Sequence, residues 1–156
     1  MILEKTAPNK KNWPTFFNAT LDYIEQNWGF NGKTRHQFGE EYKNELSTRI
    51  AQGGRLLYLF KTDESYLGFV NAYLENNGIN NTKTLFIAEF CIFTQFRRHR
   101  YGEKMLLNVI LLPECSDIIY VAAEVDKDLP TANAFWKSQM TNLNDAGSRN
   151  LYWKKL

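Results

Sequence analysis

The chain has 156 residues, 44% of them hydrophobic and 15% aromatic, which suits one domain spanning residues 1–156 and supplies ample material for its core. Its 19 basic and 17 acidic residues leave a net charge of only +2, excluding the broad basic excess of a nucleic-acid-binding protein. No run approaches the roughly 20 apolar residues of a membrane helix, and Met1 to Lys5 lacks the apolar stretch of a leader, so a cytoplasmic protein without a membrane partner is expected.

Met1 to Lys5 reads as a short first strand. Asn12 and Pro14 resemble a helix cap and first turn, after which Phe17, Leu21, Ile24 and Trp28 recur at helical spacing. A second helix carries Phe38, Tyr42, Leu46 and Ile50 at every fourth position and stops at Gly53-Gly54. Leu56–Phe60 and Tyr66–Leu74 read as strands joined by a turn, and the Asn76–Thr82 segment as a hairpin loop into a third, central strand. That strand, rich in aromatic and β-branched residues around Glu89, is too apolar for a surface position. Met105, Leu106, Val109 and Ile110 form a third helical stripe that Pro113 ends. One more strand, one more helix and a terminal strand around Leu151-Tyr152-Trp153 complete a mixed sheet with helices on both faces.

The loop Arg97–Gly102 lies between the central strand and the third helix. A helix N-terminus carries unpaired N–H groups and about half a positive charge, which suits a phosphate or pyrophosphate. Gly102 would let the backbone approach an anion, and Arg97, Arg98 and Arg100 would add charged donors. A solvated basic loop with a turn glycine is the plainer alternative. Cys91 and Cys115 show no metal-ligand spacing, are expected to be reduced thiols, and no metal is expected.

This strand and loop resemble the acyl-CoA-binding motif of the GNAT superfamily of N-acyltransferases: Arg or Gln, two residues, Gly, one residue, then Gly or Ala. The pattern falls on Arg97, Arg100 and Gly102, with Arg100 in place of the first glycine. An arginine there still offers its backbone N–H, but only glycine enters positive φ without cost. The segment from Ile118 to Ser138 resembles the family's fifth strand and following helix, with Val125, Ala132, Phe135, Trp136 and Lys137 at matching positions. The family's helix asparagine falls on Leu129, Asn133 lies one turn later, and the helix has no tyrosine.

The resemblance implies an α/β fold (α+β mixed): a central, mostly antiparallel sheet of six to seven strands flanked by about four helices. It implies acetyl-CoA as co-substrate, with contacts from Cys91, Ile92 and Phe93 on the strand, from Arg97, Arg98, His99, Arg100, Tyr101, Gly102 and Glu103 at the loop, and from Asn133 and Trp136 on the last helix. The implied reaction moves an acetyl group to a primary amine of a small molecule or peptide. The alternative is a non-catalytic acyl-CoA-binding module. Dimers are common in that family, so a homodimer is admitted although no seam is visible. Glu89, inside the apolar strand, is the first candidate for the base, since burial raises a carboxyl pKa. Glu124 on the neighbouring strand is the reserve, and Tyr152 is a candidate for the acid. Trp28, Phe30 and Tyr42 are the aromatic candidates for an acceptor pocket.

Overall fold

Seven strands hydrogen-bond into one sheet in the computed structural model, which describes residues 1–156. The strands are β1 (Ile2–Lys5), β2 (Arg55–Lys61), β3 (Tyr66–Asn76), β4 (Lys83–Ile92), β5 (Ile118–Asp126), β6 (Asn142–Ala146) and β7 (Arg149–Lys155). Their order in space is β1-β2-β3-β4-β5-β7-β6, and only the β4–β5 pair is parallel. The helices are α1 (Trp13–Asn27), α2 (Arg35–Ala51), α3 (Tyr101–Ile110) and α4 (Pro130–Gln139). No helix is long and apolar enough to cross a membrane.

Two layers of core follow from the period-2 alternation of the strands. On one face, Phe16, Leu21 and Ile24 of α1 and Tyr42 and Leu46 of α2 cover Leu57, Leu59 and Phe69. On the other, Leu106 and Val109 of α3, Trp136 of α4 and Met140 just after it cover Val70, Leu85, Val121 and Ala123. Helix α2 starts at a capping box: Gln37 N–H donates to the Thr34 hydroxyl, and Thr34 N–H donates to the Gln37 side chain. The Asn12 side chain does not cap α1. It donates instead to Glu4 Oε2 and to the Lys5 carbonyl, tying the helix start to β1.

Two of the expectations change here. The chain end holds a hairpin, β6–β7, rather than one terminal strand. The run Asn142-Leu143-Asn144-Asp145-Ala146 carries Asn and Asp, which are poor strand formers, and it pairs only with β7 at the sheet edge. Gly102 lies inside the first turn of α3 rather than in the preceding loop. A Cβ there would stand 2.9 Å from the Phe135 ring, so the glycine lets α3 pack on α4 without displacing that ring.

Candidate active site

The site is built where the only parallel pair of the sheet separates. Strands β4 and β5 pair from Lys83 with Ile118 to Ile87 with Ala123, with a register shift after Lys83, and beyond that they share no pairing. The β4 edge from Ala88 to Ile92 thus faces an open slot, while β5 continues to Asp126 paired with β7. At the same point β4 carries a bulge, because Ala72 pairs with Ile87 but Asn71 pairs with Glu89, leaving Ala88 unpaired. Ile87 faces α3 and α4. Strict alternation would send Glu89 to that same face, and the extra residue turns it toward α2 instead.

There the Tyr42 hydroxyl lies 2.8 Å from both Glu89 carboxylate oxygens, and Asn71 Nδ2 donates to Oε2 at 3.1 Å. Asn71 is in turn held by Arg55 through its Oδ1. Burial raises the Glu89 pKa, and the hydrogen bonds from Tyr42 and Asn71 oppose that rise without reversing it. Glu124 sits differently: its carboxylate is largely solvent-exposed, 3.7 Å from Arg149 Nη1. Cys91 is half-buried, and burial pushes its thiol up, away from the reactive thiolate form. Its side chain and that of Phe93 face α1, whereas Ile92 packs toward Phe60, Leu67 and Met105 on the opposite face.

At its far end the slot meets the N-terminus of α3, which no side chain caps. Arg100 precedes it with φ 60° and ψ 20°, and Arg98 has φ 65°. The arginine that replaces the motif's first glycine therefore keeps the left-handed turn, at a cost of about 1 kcal/mol. Arg100→Gly should consequently raise stability by up to about 1 kcal/mol in chemical denaturation, with the gain reduced by the greater freedom of glycine in the unfolded chain.

The loop arginines are not equivalent. Arg97 Nε donates to the Ile92 carbonyl at 2.9 Å, folding its side chain back over the strand end, and Arg100 is paired with Glu103. The Arg98 guanidinium has no partner within the protein and remains available to an anion. His99 Nδ1 lies 2.8 Å from the Arg97 carbonyl and its ring stacks on Tyr101, so the histidine braces the loop.

Three expected site residues belong to the framework. Trp136 is 5% exposed, packed against Phe90 and Phe135 under β4, and offers no surface to a cofactor. Asn133 donates through Nδ2 to the carbonyls of Asp126 and Leu129, and its Oδ1 accepts from Asn150 and from the Tyr152 hydroxyl at 2.7 Å. Both groups close the β5–α4 connection, and the Tyr152 hydroxyl is engaged there with Asn133.

Tyr23 and Asp126, also at the site, gave no signal in the sequence. Tyr23 of α1 packs edge-on against Phe69 and Trp28, and its phenol is pushed up by burial and then by the charges of Glu89, Cys91 and Asp126. Trp28 donates its indole N–H to Asp126 Oδ2. Of the three aromatic acceptor candidates, Phe30 is buried against Phe38, Tyr42 holds Glu89, and Trp28 alone is half-exposed. Beside them, a groove of about 420 Å³ separates α1 from the end of β4, lined among others by Asp22, Tyr23, Cys91, Gln95 and Arg97.

The sequence matches the acetyltransferase (GNAT) family over residues 14–140. No protein of curated function matches it. Among solved structures, an acetyltransferase from Thermus thermophilus is similar at 17% identity and TM-score 0.73, over 100% of this chain and 98% of that one. The paia N-acetyltransferase of Thermoplasma acidophilum, solved in complex with coenzyme A, aligns over both whole chains at 14% identity and TM-score 0.72. A GNAT-family acetyltransferase from Staphylococcus aureus aligns at 10% identity and TM-score 0.71, over 98% of each chain. At these identities the likeness is one of fold.

Proposed function

The chain belongs to the acetyltransferase (GNAT) family, and on that premise we propose that it moves an acetyl group from acetyl-CoA to a primary amine of a small molecule or peptide, by direct attack in a ternary complex. The observation that carries this reading is the slot itself: an unpaired β4 edge that leads from Glu89 to an uncapped helix N-terminus. Both ends fit an acyl-CoA. The edge can pair with the amide-bearing pantetheine arm as a strand would, and the α3 N–H groups together with Arg98 suit a diphosphate. The coenzyme A bound to the Thermoplasma relative, of the same fold, supports that fit.

Bound acetyl-CoA supplies an activated thioester. What the chain must add is a neutral nucleophile. A lysine-like amine with a pKa near 10.4 is mostly protonated at pH 7, and deprotonating it costs roughly 4–5 kcal/mol. Glu89 accepts that proton, directly or through water, because burial has made it a stronger base than a solvated carboxylate. The amine nitrogen then bonds to the acetyl carbon, the C–S bond breaks, and the sulfur leaves with the electron pair; the proton that the nitrogen sheds as the amide forms, passed through water, turns the thiolate into the thiol. Tyr42 and Asn71 hold the carboxylate in position throughout.

Thermal unfolding with acetyl-CoA tests the reading. At about 100 times its Kd the ligand should add roughly 2.7 kcal/mol, a rise of roughly 5–10 °C. Adding a suitable amine should then release thiol. A shift without turnover across small amines, peptides and aminoglycosides would leave a binding module, and no shift at all would refute the assignment of the slot.

A further inference from the structure

A single side-chain bridge joins the two walls of the slot on the α1 face. Helix α1 packs against Phe69 of β3 through Phe16 and Tyr23, and Cys91 of β4 and Phe93 just after it pack against the same cluster. Trp28 caps the C-terminal end of α1 and reaches from this wall to Asp126, the last residue of β5, 98 positions away in the chain. The indole meets Tyr23 edge-on, and the Tyr23 phenol feels the charges of both Glu89 and Asp126, so Trp28 and Asp126 stand beside Glu89 on the α1 face, where β4 and β5 have separated.

The construction is unusual for a packing residue. Trp28 is 50% exposed although tryptophan is the largest apolar residue, and its ring meets Tyr23 edge-on with the centroids 5.5 Å apart. Asp126 is mostly buried, and its other oxygen, Oδ1, accepts from Arg149 Nε at 2.9 Å, which fixes the carboxylate plane. The neutral indole N–H is therefore the weaker of its two partners. A charged donor placed at Oδ2 would form a bond roughly twice as strong and could keep its alkyl stem against the open indole face.

We propose that Trp28 and Asp126 are specificity-determining residues for the acceptor: they recognise a positive charge on the acceptor other than the nitrogen that is acetylated. This rests on the acetyltransferase reading above. The reacting nitrogen must be neutral when it attacks, so a carboxylate that binds a cation beside Glu89 serves a second charge on the same molecule. The acceptor displaces the Trp28 N–H from Asp126 and lies under the ring with its free amine directed to Glu89.

Steady-state kinetics with two matched acceptors, 1,5-diaminopentane and 5-amino-1-pentanol, tests this. The diamine should show a kcat/KM at least tenfold higher, expressed mainly in KM. Asp126→Asn should erase that preference and Trp28→Ala should reduce it severalfold. Trp28→Phe removes the competing N–H but keeps a ring, and should lower KM for the diamine. In all three variants the thermal shift with acetyl-CoA should persist. Equal kcat/KM for the two acceptors, or a preference that survives Asp126→Asn, overturns the inference while thiol release still upholds the acetyltransferase reading. Loss of the acetyl-CoA shift in Asp126→Asn also overturns it, because Asp126 would then belong to the cofactor slot. An unmodified protein that does not respond to acetyl-CoA fails the underlying reading instead.

Discussion

Gly68→Ala should destabilise the protein by about 3 kcal/mol, lowering the melting temperature by roughly 6–12 °C, and should abolish the response to acetyl-CoA in whatever fraction remains folded. Gly68 is buried in β3 opposite Ile92, and a Cβ on it would stand 2.2 Å from the Cys91 carbonyl oxygen and 3.1 Å from the Ile92 Cα. Both obstacles are backbone, so no rotamer change relieves them. The end of β4 would have to move outward, toward the slot, breaking ladder bonds and displacing the edge on which the pantetheine arm is to pair. Gly78→Ala is the matching control: nothing lies within 4 Å of a Cβ there, and only the backbone strain of its φ of +71° is felt, about 1 kcal/mol. If the two substitutions cost the same in chemical denaturation, the close approach of β3 to β4 does not exist in solution.

Glu89→Gln should lower kcat by about 10²- to 10⁴-fold while the acetyl-CoA thermal shift is retained. The amide preserves the shape of the carboxylate and can still accept from Tyr42, so binding is spared and proton removal is not. The pH profile gives the sharper test. Only the ionised carboxylate is a base, and its folded pKa is raised, so the acid limb of kcat/KM should lie above the ordinary carboxylate range and vanish in the variant. Tyr42→Phe removes a hydrogen bond that favours the charged form and should move that limb to still higher pH. Stability follows the same group with a definite sign. A raised folded pKa means that the folded chain holds the proton longer than the unfolded chain, so the Glu89 contribution to stability falls as pH rises from its unfolded to its folded pKa. Glu89→Gln should remove that slope. A variant with full turnover and an unchanged profile would place the base elsewhere.

Much of the scaffold is legible before any coordinates. Phe38, Tyr42, Leu46 and Ile50 four apart, with Gly53-Gly54 after them, describe α2, which closes within a residue or two of that reading. The strand, loop and helix around residue 100 carry the family pattern, and the loop keeps its left-handed turn even with Arg100 in the glycine position. Strand β6 is the element that was not legible, because five residues with two Asn and one Asp carry no pattern and acquire strand structure only from β7.

Motif matching names places rather than surroundings. Trp136 and Asn133 stand where the family's helix is expected, yet one is enclosed by Phe90 and Phe135 and the other closes a loop with all its polar atoms. A position in a motif names the helix and not the direction in which the side chain leaves it.

What the sequence determined by itself is the order of elements, the two apolar stripes that each strand and helix must bury, and the anion-friendly start of α3. Those properties are local, set by periodicity and by single residues such as Gly53 and Pro113. The tertiary structure alone decided which polar groups meet. Glu89 reaches Tyr42 from 47 positions away, and only because the unpaired Ala88 reverses the alternation that would have turned the carboxylate toward α3 and α4. Trp28 and Asp126 come together because α1 and β5 flank the same gap. A one-residue bulge and the divergence of two strands are products of pairing across the sheet, and neither leaves a period in the chain to be read.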